Sequence, residues 1–538
     1  MPRNESKKLV KGALLLTLAG VISKILSAGY RIPLQNLTGD IGFYIYQQAY
    51  PILAIAMTLA LYSFPSAISN MAMEIKATGQ SLTIKSFYGP VFMVIAGICT
   101  PMFIFLLLNA EPLALFVGDE NLAGIYQLSA FIFLLVPFTA LLRGFFQGNI
   151  VMTPTACSQI GEQIIRVSII IAAAVWVFRT GSDIYHVGRA AAIASIFGAL
   201  AAILILGLFL LRYHRKSLSR RVTTKADAIP WNYYVTTLLI LGLVASLNHM
   251  VLIIIQFADT FTLIPGLMDH GLTAREAMEA KGVFDRGQPM IQLGTVLGSS
   301  FALALLPSVT KQKWREHPRT FYSNIQAALL FSFYLAAGAT IGLILLFPEA
   351  NTLLFQNDKG TADLQILVLS IFLSSLAMTG AAILQGLEYR KRTAGFILIA
   401  FFTKWSANQI LVPLWGVTGS AIATVLSLFV LCVLVLAELK RKLPELRFFK
   451  RMNWRAFVKA GAVLVLFVLA MDLIFPEQAA ASRVYLLFYC VFVSGIGGIL
   501  YIYLLVRWQA FQEEELRMLP MSSLFLKIYH RRWPNGKN

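Results

Sequence analysis

Long apolar runs recur along this chain, and their length decides what the chain can fold into. About fourteen of them reach roughly 20 residues, the length that an α-helix needs to cross the hydrocarbon core of a membrane. We expect spans near 12–34, 44–70, 87–109, 124–147, 157–178, 188–211, 233–258, 284–308, 324–347, 362–387, 393–413, 417–438, 456–474 and 484–507. The sequence therefore predicts an all-α polytopic membrane protein.

Composition supports this interpretation and excludes several classes of function. Hydrophobic residues make up 58% of the chain and charged residues only 13%, with a mean hydropathy of +0.71, which is far from a soluble domain. The four cysteines show no paired or metal-like spacing. No Gly-rich phosphate loop and no cluster of metal-ligating residue types is present. We therefore expect no metal, no cofactor and no enzymatic activity.

Charge predicts the orientation of the spans. The net charge is +19, and most lysines and arginines fall on the side of the amino terminus when fourteen spans are threaded through a membrane, as the positive-inside rule requires. Both termini and the segment 212–231 are then cytoplasmic, and the loop 110–122 is external. Binding of nucleic acid is not expected, because the basic residues are not gathered in a soluble domain.

The spans also form an internal repeat. "YPILAIAMTLALYSFPSAIS" in the second span resembles "QPMIQLGTVLGSSFALALLPSVT" in the eighth, and further pairs follow in the same order. We predict two parallel six-helix repeats plus two extra helices, an architecture that transporters use to build a site between two lobes. The expected domains are 1–211 and 232–438 as the two lobes, 212–231 and 439–455 as basic cytoplasmic linkers, 456–507 as the extra helices, and 508–538 as a basic cytoplasmic tail.

Two cations interrupt the first apolar run. Lys24 and Arg31 are seven residues apart, so on one helix they lie within about 20° of the same face and roughly 10 Å apart along the axis. Arg31 either lines an internal cavity or extends its side chain to the outer membrane interface. Lys24 lies deeper, where a cation is costly unless it faces protein or water, so we expect it to line a cavity.

A second charged pair opens the eighth predicted span. Asp285 fits an ordinary helix start, where the helix dipole favours an acidic residue. The functional alternative is that Arg286 offers a planar donor fork to the oxygens of a phosphate while Asp285 holds it in orientation. In that case Arg286 faces the first span across a central cavity.

Three further polar residues lie within apolar runs. Glu162 and Arg166 are four residues apart on the fifth span, the spacing of an ion pair within one helix, and they are either structural or part of a proton-coupling device. Lys404 in the eleventh span is either a packing element or a cavity residue. The sequence does not choose between these alternatives.

The opening stretch "GALLLTLAGVISKILSAGYRIPLQNLTGDIGFYIYQQAYPI", the "FDRGQP" followed by "LLPS", and the count of 6+6+2 spans resemble the polysaccharide-exporter branch of the multidrug/oligosaccharidyl-lipid/polysaccharide superfamily. Within this branch the chain is similar to stage V sporulation protein B-like and lipid II flippase proteins of Gram-positive bacteria. The resemblance covers nearly the whole chain. It implies a protein of the bacterial cytoplasmic membrane.

The resemblance also implies an activity. Proteins of this kind are alternating-access flippases that carry an undecaprenyl-pyrophosphate-linked precursor of peptidoglycan or polysaccharide from the inner to the outer leaflet. In the lipid II branch, cations on the first and eighth spans line the central cavity. Asp285-Arg286 matches the family's Asp-Arg before "LLPS", Lys24 matches a basic residue on the first span, and the two extra helices match a groove for the polyprenyl chain. The second span differs, because "ILAIAMTLALYSFPS" carries no basic residue.

Two other functions remain as alternatives. A multidrug or organic-cation exporter of the same superfamily would need acidic sites within the membrane and would leave the extra helices unexplained. A membrane scaffold without transport would not need an excess of cations within its spans. The sequence does not name the sugar or the coupling ion. The energy for transport would come from either an ion gradient or the membrane potential.

Overall fold

The structure is a computed structural model that describes residues 3–80, 82–217, 229–305, 311–446, 448–475, 482–517 and 522–530. The described chain is helical almost throughout and contains no strand among these residues, which confirms the predicted all-α class. Contacts divide the chain into two compact units, an amino-terminal unit at Met1–Asp285 and a carboxyl-terminal unit at Arg286–Asn538.

The amino-terminal unit contains thirteen described α-helices. They are α1 (Arg3–Gly29), α2 (Arg31–Thr58), α3 (Phe64–Ala77), α4 (Gly89–Leu108), α5 (Ala110–Val117), α6 (Ala123–Ala130), α7 (Ile132–Gly148), α8 (Thr153–Thr180), α9 (His186–Ser217), α10 (Trp231–Thr237), α11 (Ala245–His249), α12 (Val251–Asp269) and α13 (Ala274–Asp285). Three π-helical turns, Leu59–Ser63, Ile84–Tyr88 and Leu238–Val244, and a short 3₁₀ turn, Glu120–Leu122, connect some of them.

The first predicted span is interrupted where α1 gives way to α2. Pro33 has no N–H, so the carbonyl of Gly29 lacks its usual donor and α1 ends at that residue. Tyr30 keeps helical torsion angles, which limits the break to a kink. A larger break follows at Gly39, whose φ of 68° is readily adopted only by glycine. The span predicted near 12–34 therefore contains a kink, and the break at Gly39 follows it.

The helices of the amino-terminal unit approach each other closely at glycines. A Cβ on Gly198 of α9 would lie 2.9 Å from the carbonyl oxygen of Glu162 on α8, and one on Gly282 of α13 would lie 2.1 Å from that of Asp40 on α2. Helices α12 and α13 pack against α2. Part of the predicted second lobe, which begins at 232, thus belongs by its contacts to the amino-terminal unit.

The carboxyl-terminal unit contains eleven described helices. They are α14 (Gly287–Leu305), α15 (Lys311–Glu316), α16 (Pro318–Leu345), α17 (Phe347–Phe355), α18 (Thr361–Gly386), α19 (Arg390–Lys442), α20 (Phe448–Arg451), α21 (Trp454–Ile474), α22 (Arg483–Arg507), α23 (Glu513–Leu516) and α24 (Ser522–His530).

Helix α19 reverses direction within its length. Lys404 and Ser420 are 16 residues apart, which would separate them by about 24 Å on a straight helix. The Lys404 ammonium nevertheless lies 2.8 Å from the Ser420 carbonyl oxygen, and Gly416 has a φ of 57°. The chain therefore turns back at Gly416, and α19 consists of two antiparallel helices, in agreement with two predicted spans at 393–413 and 417–438.

The two extra helices, α21 and α22, pack against α16. The ring of Tyr501 covers Gly338, where a Cβ would lie 2.3 Å from it. The Tyr501 hydroxyl donates to the Tyr334 carbonyl oxygen over 3.0 Å. The guanidinium of Arg483 also donates to the carbonyl oxygen of Leu353 over 2.8 Å. The pair is thus attached to α16 and α17 of this unit.

Eleven described helical segments are long and apolar enough to cross a membrane. Two of them, Leu18–Ala77 with 60 residues and Arg390–Lys442 with 53, are each long enough for more than one crossing. The count of fourteen spans stays a prediction. Large apolar side chains point away from the protein, such as Leu473 at 84% and Leu108 at 72% exposure, as expected of surfaces in contact with lipid.

The predicted linkers and tail fall partly outside the described residues. Residues 218–228 of the first linker, 447 of the second and 518–521 and 531–538 of the tail are not described. The proposed domain boundaries and the cytoplasmic location of these segments stay predictions.

Candidate functional site

Lys24 projects from α1 without a partner. Its side chain is accessible to solvent, but many protein atoms lie around it. This combination is typical of a side chain in a concave part of the surface. Within the described part of the chain no group forms an ion pair or a hydrogen bond with its ammonium. One turn earlier, a Cβ on Gly20 would lie 3.7 Å from the Tyr62 hydroxyl. This face of α1 therefore borders the π-helical turn that holds Tyr62.

Arg31 has a different environment, because it is completely buried. Its guanidinium carbon lies 4.1 Å from the centre of the Tyr50 ring, a favourable contact for a cation. None of the described residues accepts a hydrogen bond from its three side-chain nitrogens. The Tyr46 hydroxyl also interacts with the guanidinium, although it is bonded to the hydroxyl of Tyr30. A buried guanidinium without an acceptor is costly unless a ligand completes its hydrogen bonds.

Asp285 lies near Arg31 and has an ion partner that the sequence interpretation missed. Its carboxylate accepts a hydrogen bond of 2.7 Å from the ammonium of Lys281, which lies one turn earlier on α13 and is also buried. The charges of Arg31 and Asp285 also interact. The four-residue spacing in "KGVFD" was the available signal for the pair. The carboxylate of Asp285 is thus bound to Lys281, whereas the prediction assigned it to Arg286.

Arg286 begins the carboxyl-terminal unit, at the break between α13 and α14. It is fully buried, and one guanidinium nitrogen donates to the side-chain oxygen of Asn357 over 2.6 Å. Its guanidinium carbon lies 5.3 Å from the centre of the Phe355 ring. The structure thus orients Arg286 through an amide and an aromatic ring at the end of α17. Its proposed role opposite Lys24 stays a prediction.

Glu162 is held between two arginines. Its two carboxylate oxygens each accept a hydrogen bond of 2.7 Å, one from Arg166 on α8 and one from Arg143 on α7. All three residues are buried. The ion pair predicted by the spacing is present, with Arg143 as an additional member, so this cluster carries one net positive charge. A carboxylate with two guanidinium partners is strongly favoured in its ionised form.

Arg143 belongs to this cluster for a reason that is visible in the sequence. In the π-helical turn Leu59–Ser63 the N–H of Phe64 bonds to the carbonyl of Leu59, and Pro65 has no N–H, so the carbonyl of Ala60 has no backbone donor of its own. Arg143 supplies a donor at 3.2 Å. Its side chain is completely buried.

Lys404 is fully buried in the carboxyl-terminal unit. Its ammonium donates to the carbonyl oxygen of Ser420 at 2.8 Å, to the hydroxyl of Ser420 at 2.9 Å and to that of Thr424 at 2.7 Å. Three neutral oxygens therefore surround the charge, and they join the two halves of α19. This geometry favours the packing alternative, although a role in a cavity is not tested.

The structure therefore brings Lys24, Arg31, Asp285, Glu162 and Arg166 into the amino-terminal unit and places Arg286 and Lys404 in the carboxyl-terminal unit. Among the described residues, no group of three or more histidine, cysteine or acidic side chains could hold a metal ion.

Comparison with known proteins identifies the family. The family described as "Polysaccharide biosynthesis protein" matches residues 9–313, and that described as "Lipid II flippase MurJ" matches 287–493. The chain is 37% identical to the "Uncharacterized membrane protein YabM" of Bacillus subtilis (strain 168), over 98% of this chain and 97% of the relative. It is 24% identical to the "Lipid II flippase MurJ" of the same organism, over 96% and 98% of the two chains.

A solved structure shares the fold. The "Lipid II flippase MurJ, inward closed conformation" aligns with a TM-score of 0.64 and 11% identity, over 92% of this chain and 99% of the other. The matched families consist of flippases and transporters rather than enzymes, and the protein is a multi-pass bacterial membrane protein. The chain belongs to the polysaccharide biosynthesis protein family, in the polysaccharide-exporter branch of the multidrug/oligosaccharidyl-lipid/polysaccharide superfamily.

Proposed function

We propose that this protein is an alternating-access flippase that moves an undecaprenyl-pyrophosphate-linked precursor of peptidoglycan or polysaccharide from the inner to the outer leaflet. The observation that carries the proposal is Arg31, a completely buried guanidinium whose three nitrogens form no hydrogen bond of standard geometry with the described residues. A pyrophosphate would supply the missing acceptors, because phosphate oxygens match the guanidinium fork.

The proposed ligands of the pyrophosphate are Lys24, Arg31 and Arg286, with Asp285 as an orienting group. Lys24 is exposed and has no ion partner within the described residues, so its charge is available to a substrate. Asp285 interacts with Arg31 and is itself neutralised by Lys281. The contribution of Arg286 from the start of the carboxyl-terminal unit rests on its place in the sequence.

The organic-cation exporter is the second candidate, and two of the described buried acidic residues, Glu162 and Asp285, argue against it. Such a protein needs an available carboxylate near the centre of the membrane to bind its substrate. Glu162 is occupied by two arginines, and Asp285 is occupied by a lysine. The third candidate, a scaffold without transport, would gain nothing from a buried arginine that has no acceptor.

Genetic rescue tests the function in cells. A bacterium depleted of its own lipid II flippase should regain growth when it produces this protein, and production of the Lys24→Ala or Arg31→Gln variant should not restore growth. Lys85→Ala is the matched control, because Lys85 is an exposed lysine outside the proposed site. Each variant's abundance in the membrane must be measured alongside growth.

A reconstituted assay tests the substrate class. Purified protein in liposomes should move fluorescent undecaprenyl-pyrophosphate-linked disaccharide between leaflets and should not transport an organic cation such as ethidium. Transport of ethidium together with an unchanged rate for Arg31→Gln would establish the exporter instead. Absence of movement of either probe by abundant, folded protein would favour the scaffold.

A further inference from the structure

A histidine that the sequence interpretation did not single out lies close to Lys24. His249 ends α11, and its ring stacks on that of Tyr62 with centres 5.4 Å apart and an angle of 19° between the planes. Its side chain is exposed although protein atoms surround it. The ring nitrogens form no hydrogen bond with the described residues. This imidazole is therefore accessible to a ligand.

Tyr62 joins the elements that meet at this place. Its hydroxyl accepts a weak hydrogen bond of 3.4 Å from the amide of Gln159 on α8. A Cβ on Gly20 of α1 would lie 3.7 Å from the same hydroxyl and 3.9 Å from the Gln159 amide nitrogen. Lys24 lies one turn beyond Gly20 on the same face of α1. Helices α1, α8 and α11 thus converge around one tyrosine, with Lys24 and His249 on the accessible side.

The charges around His249 favour its neutral form in the empty protein. Lys24 of α1 is near enough for its charge to act on the imidazole, and two neighbouring cations oppose each other. Of the elements packed against α11, the π-helical turns contribute only Tyr62 as a titratable group, and α12 contributes Asp259, whose charge acts on Asp285, and Asp269 at its far end. Glu162 on α8 is bound by two arginines. The charge that acts on His249 is thus that of Lys24.

An anion that binds here reverses this balance. A phosphate beside Lys24 neutralises the ammonium and attracts a second positive charge, and histidine is the side chain that gains a proton most readily near neutral pH. We propose that His249 is a further ligand of the transported molecule's anionic group and that it takes up one proton from water as that group binds. The proton is released when the anion leaves. This inference rests on the proposed function, which it extends to the coupling of substrate binding to protons.

Titration calorimetry on the purified full-length protein tests the proposal, with undecaprenyl pyrophosphate as the probe. Measurements in buffers of different ionisation enthalpy count the protons that accompany binding. For the unaltered protein we expect net proton uptake on binding. Between roughly pH 8 and pH 5.5, its Kd should fall about tenfold further than the Kd of His249→Gln falls over the same range. The His249→Gln variant should retain binding at high pH and lose the proton uptake that depends on the histidine.

Two further variants make the result decisive. His249→Lys carries a permanent charge and should bind with the low-pH affinity over the whole range, which also decides the matter if His249→Gln does not fold. His186→Gln is the matched control, because His186 also contacts an aromatic ring, that of Trp176, and this variant should retain the full pH dependence.

The outcomes separate this inference from the function on which it rests. If His249→Gln keeps the unaltered pH dependence and proton uptake, His249 is not the proton acceptor and the inference fails. If the unaltered protein does not bind undecaprenyl pyrophosphate at any pH, the proposed function itself fails.

Discussion

At the scale of single residues, Glu162 distinguishes a structural ion cluster from a coupling device. Replacing Glu162 by Gln leaves Arg143 and Arg166 buried without a counter-charge, which should lower the free energy of unfolding by about 3–5 kcal/mol. The measurement is the temperature at which detergent-solubilised protein loses its monodisperse peak. The double replacement of Glu162 and Arg166 by Gln should restore part of this loss. Normal thermal stability with lost transport would instead identify Glu162 as a coupling carboxylate.

Arg286 offers a second test at this scale, because charge and geometry can be varied separately. Arg286→Lys keeps the charge but loses the donor fork and should reduce transport partly, whereas Arg286→Ala and Lys24→Ala should abolish it with membrane insertion intact. Asn357→Ala is the control, since it removes the oxygen that Arg286 donates to and keeps the cation. Near-normal flipping by the Lys24→Ala/Arg286→Ala protein at normal abundance would show that these cations are structural.

The sequence predicted single residues only in part. Lys24 and Arg31 could be found because a cation in an apolar run is unusual in any fold. The burial of Arg143 could not be inferred from its own neighbourhood, because the cause is a carbonyl on another element, that of Ala60. His249 was overlooked because one continuous helix was expected over 233–258, whereas the structure breaks it at Met250, between α11 and α12.

At the scale of elements, the turn in α19 depends on close backbone contact. A Cβ on Gly419 would lie 2.1 Å from the carbonyl oxygen of Leu411, and backbone atoms cannot move aside cheaply. Gly419→Ala should therefore prevent the two halves of α19 from packing and strongly reduce the yield of folded protein. Gly395→Ala, in the same element but with no atom within 4 Å of its Cβ, should be neutral or stabilising by about 0.5–1 kcal/mol. Equal yields of the two variants in detergent would contradict this account.

The positions of most elements followed from the length of the apolar runs, because a lipid environment permits few alternatives to a helix. The helix predicted at 157–178, for example, corresponds to α8 at Thr153–Thr180. The interruptions within these helices could not be predicted from the length of the apolar runs. The π-helical turn at Leu59–Ser63 and the kink at Tyr30 arise from local competition for N–H donors near Pro65 and Pro33, which hydropathy does not register.

At the scale of the whole molecule, we expect helices α21 and α22 to handle the polyprenyl chain. A protein truncated before Arg455 should insert into the membrane and lose flipping, because these helices lie outside the predicted repeat. The truncation uncovers Gly338, which the Tyr501 ring covers, so thermal stability should also fall. Full transport by the truncated protein would refute a role in holding the lipid. Tyr501→Phe, which loses only the bond to the Tyr334 carbonyl, is the matched control.

Orientation is also a property of the whole molecule, and it can be measured by single-cysteine labelling after removal of the four native cysteines. An impermeant reagent applied to intact cells should label a cysteine placed in 110–122 and should leave one placed in 212–231 unlabelled until the cells are opened. Labelling of the 212–231 segment in intact cells would invert the predicted topology.

The reversal at Gly416 has a consequence for biosynthesis. The residues around it, "WSANQILVPLWGVTGS", carry no charge, and the turn leaves no polar loop between the two halves of α19. A ribosome-bound translocation channel therefore has no hydrophilic segment to carry across the bilayer at this point. The two halves can leave the channel together as a preformed hairpin, in which the Lys404 ammonium already has its three oxygen acceptors from Ser420 and Thr424. The pairing thus shields a charge that would be costly to expose to lipid on a lone helix.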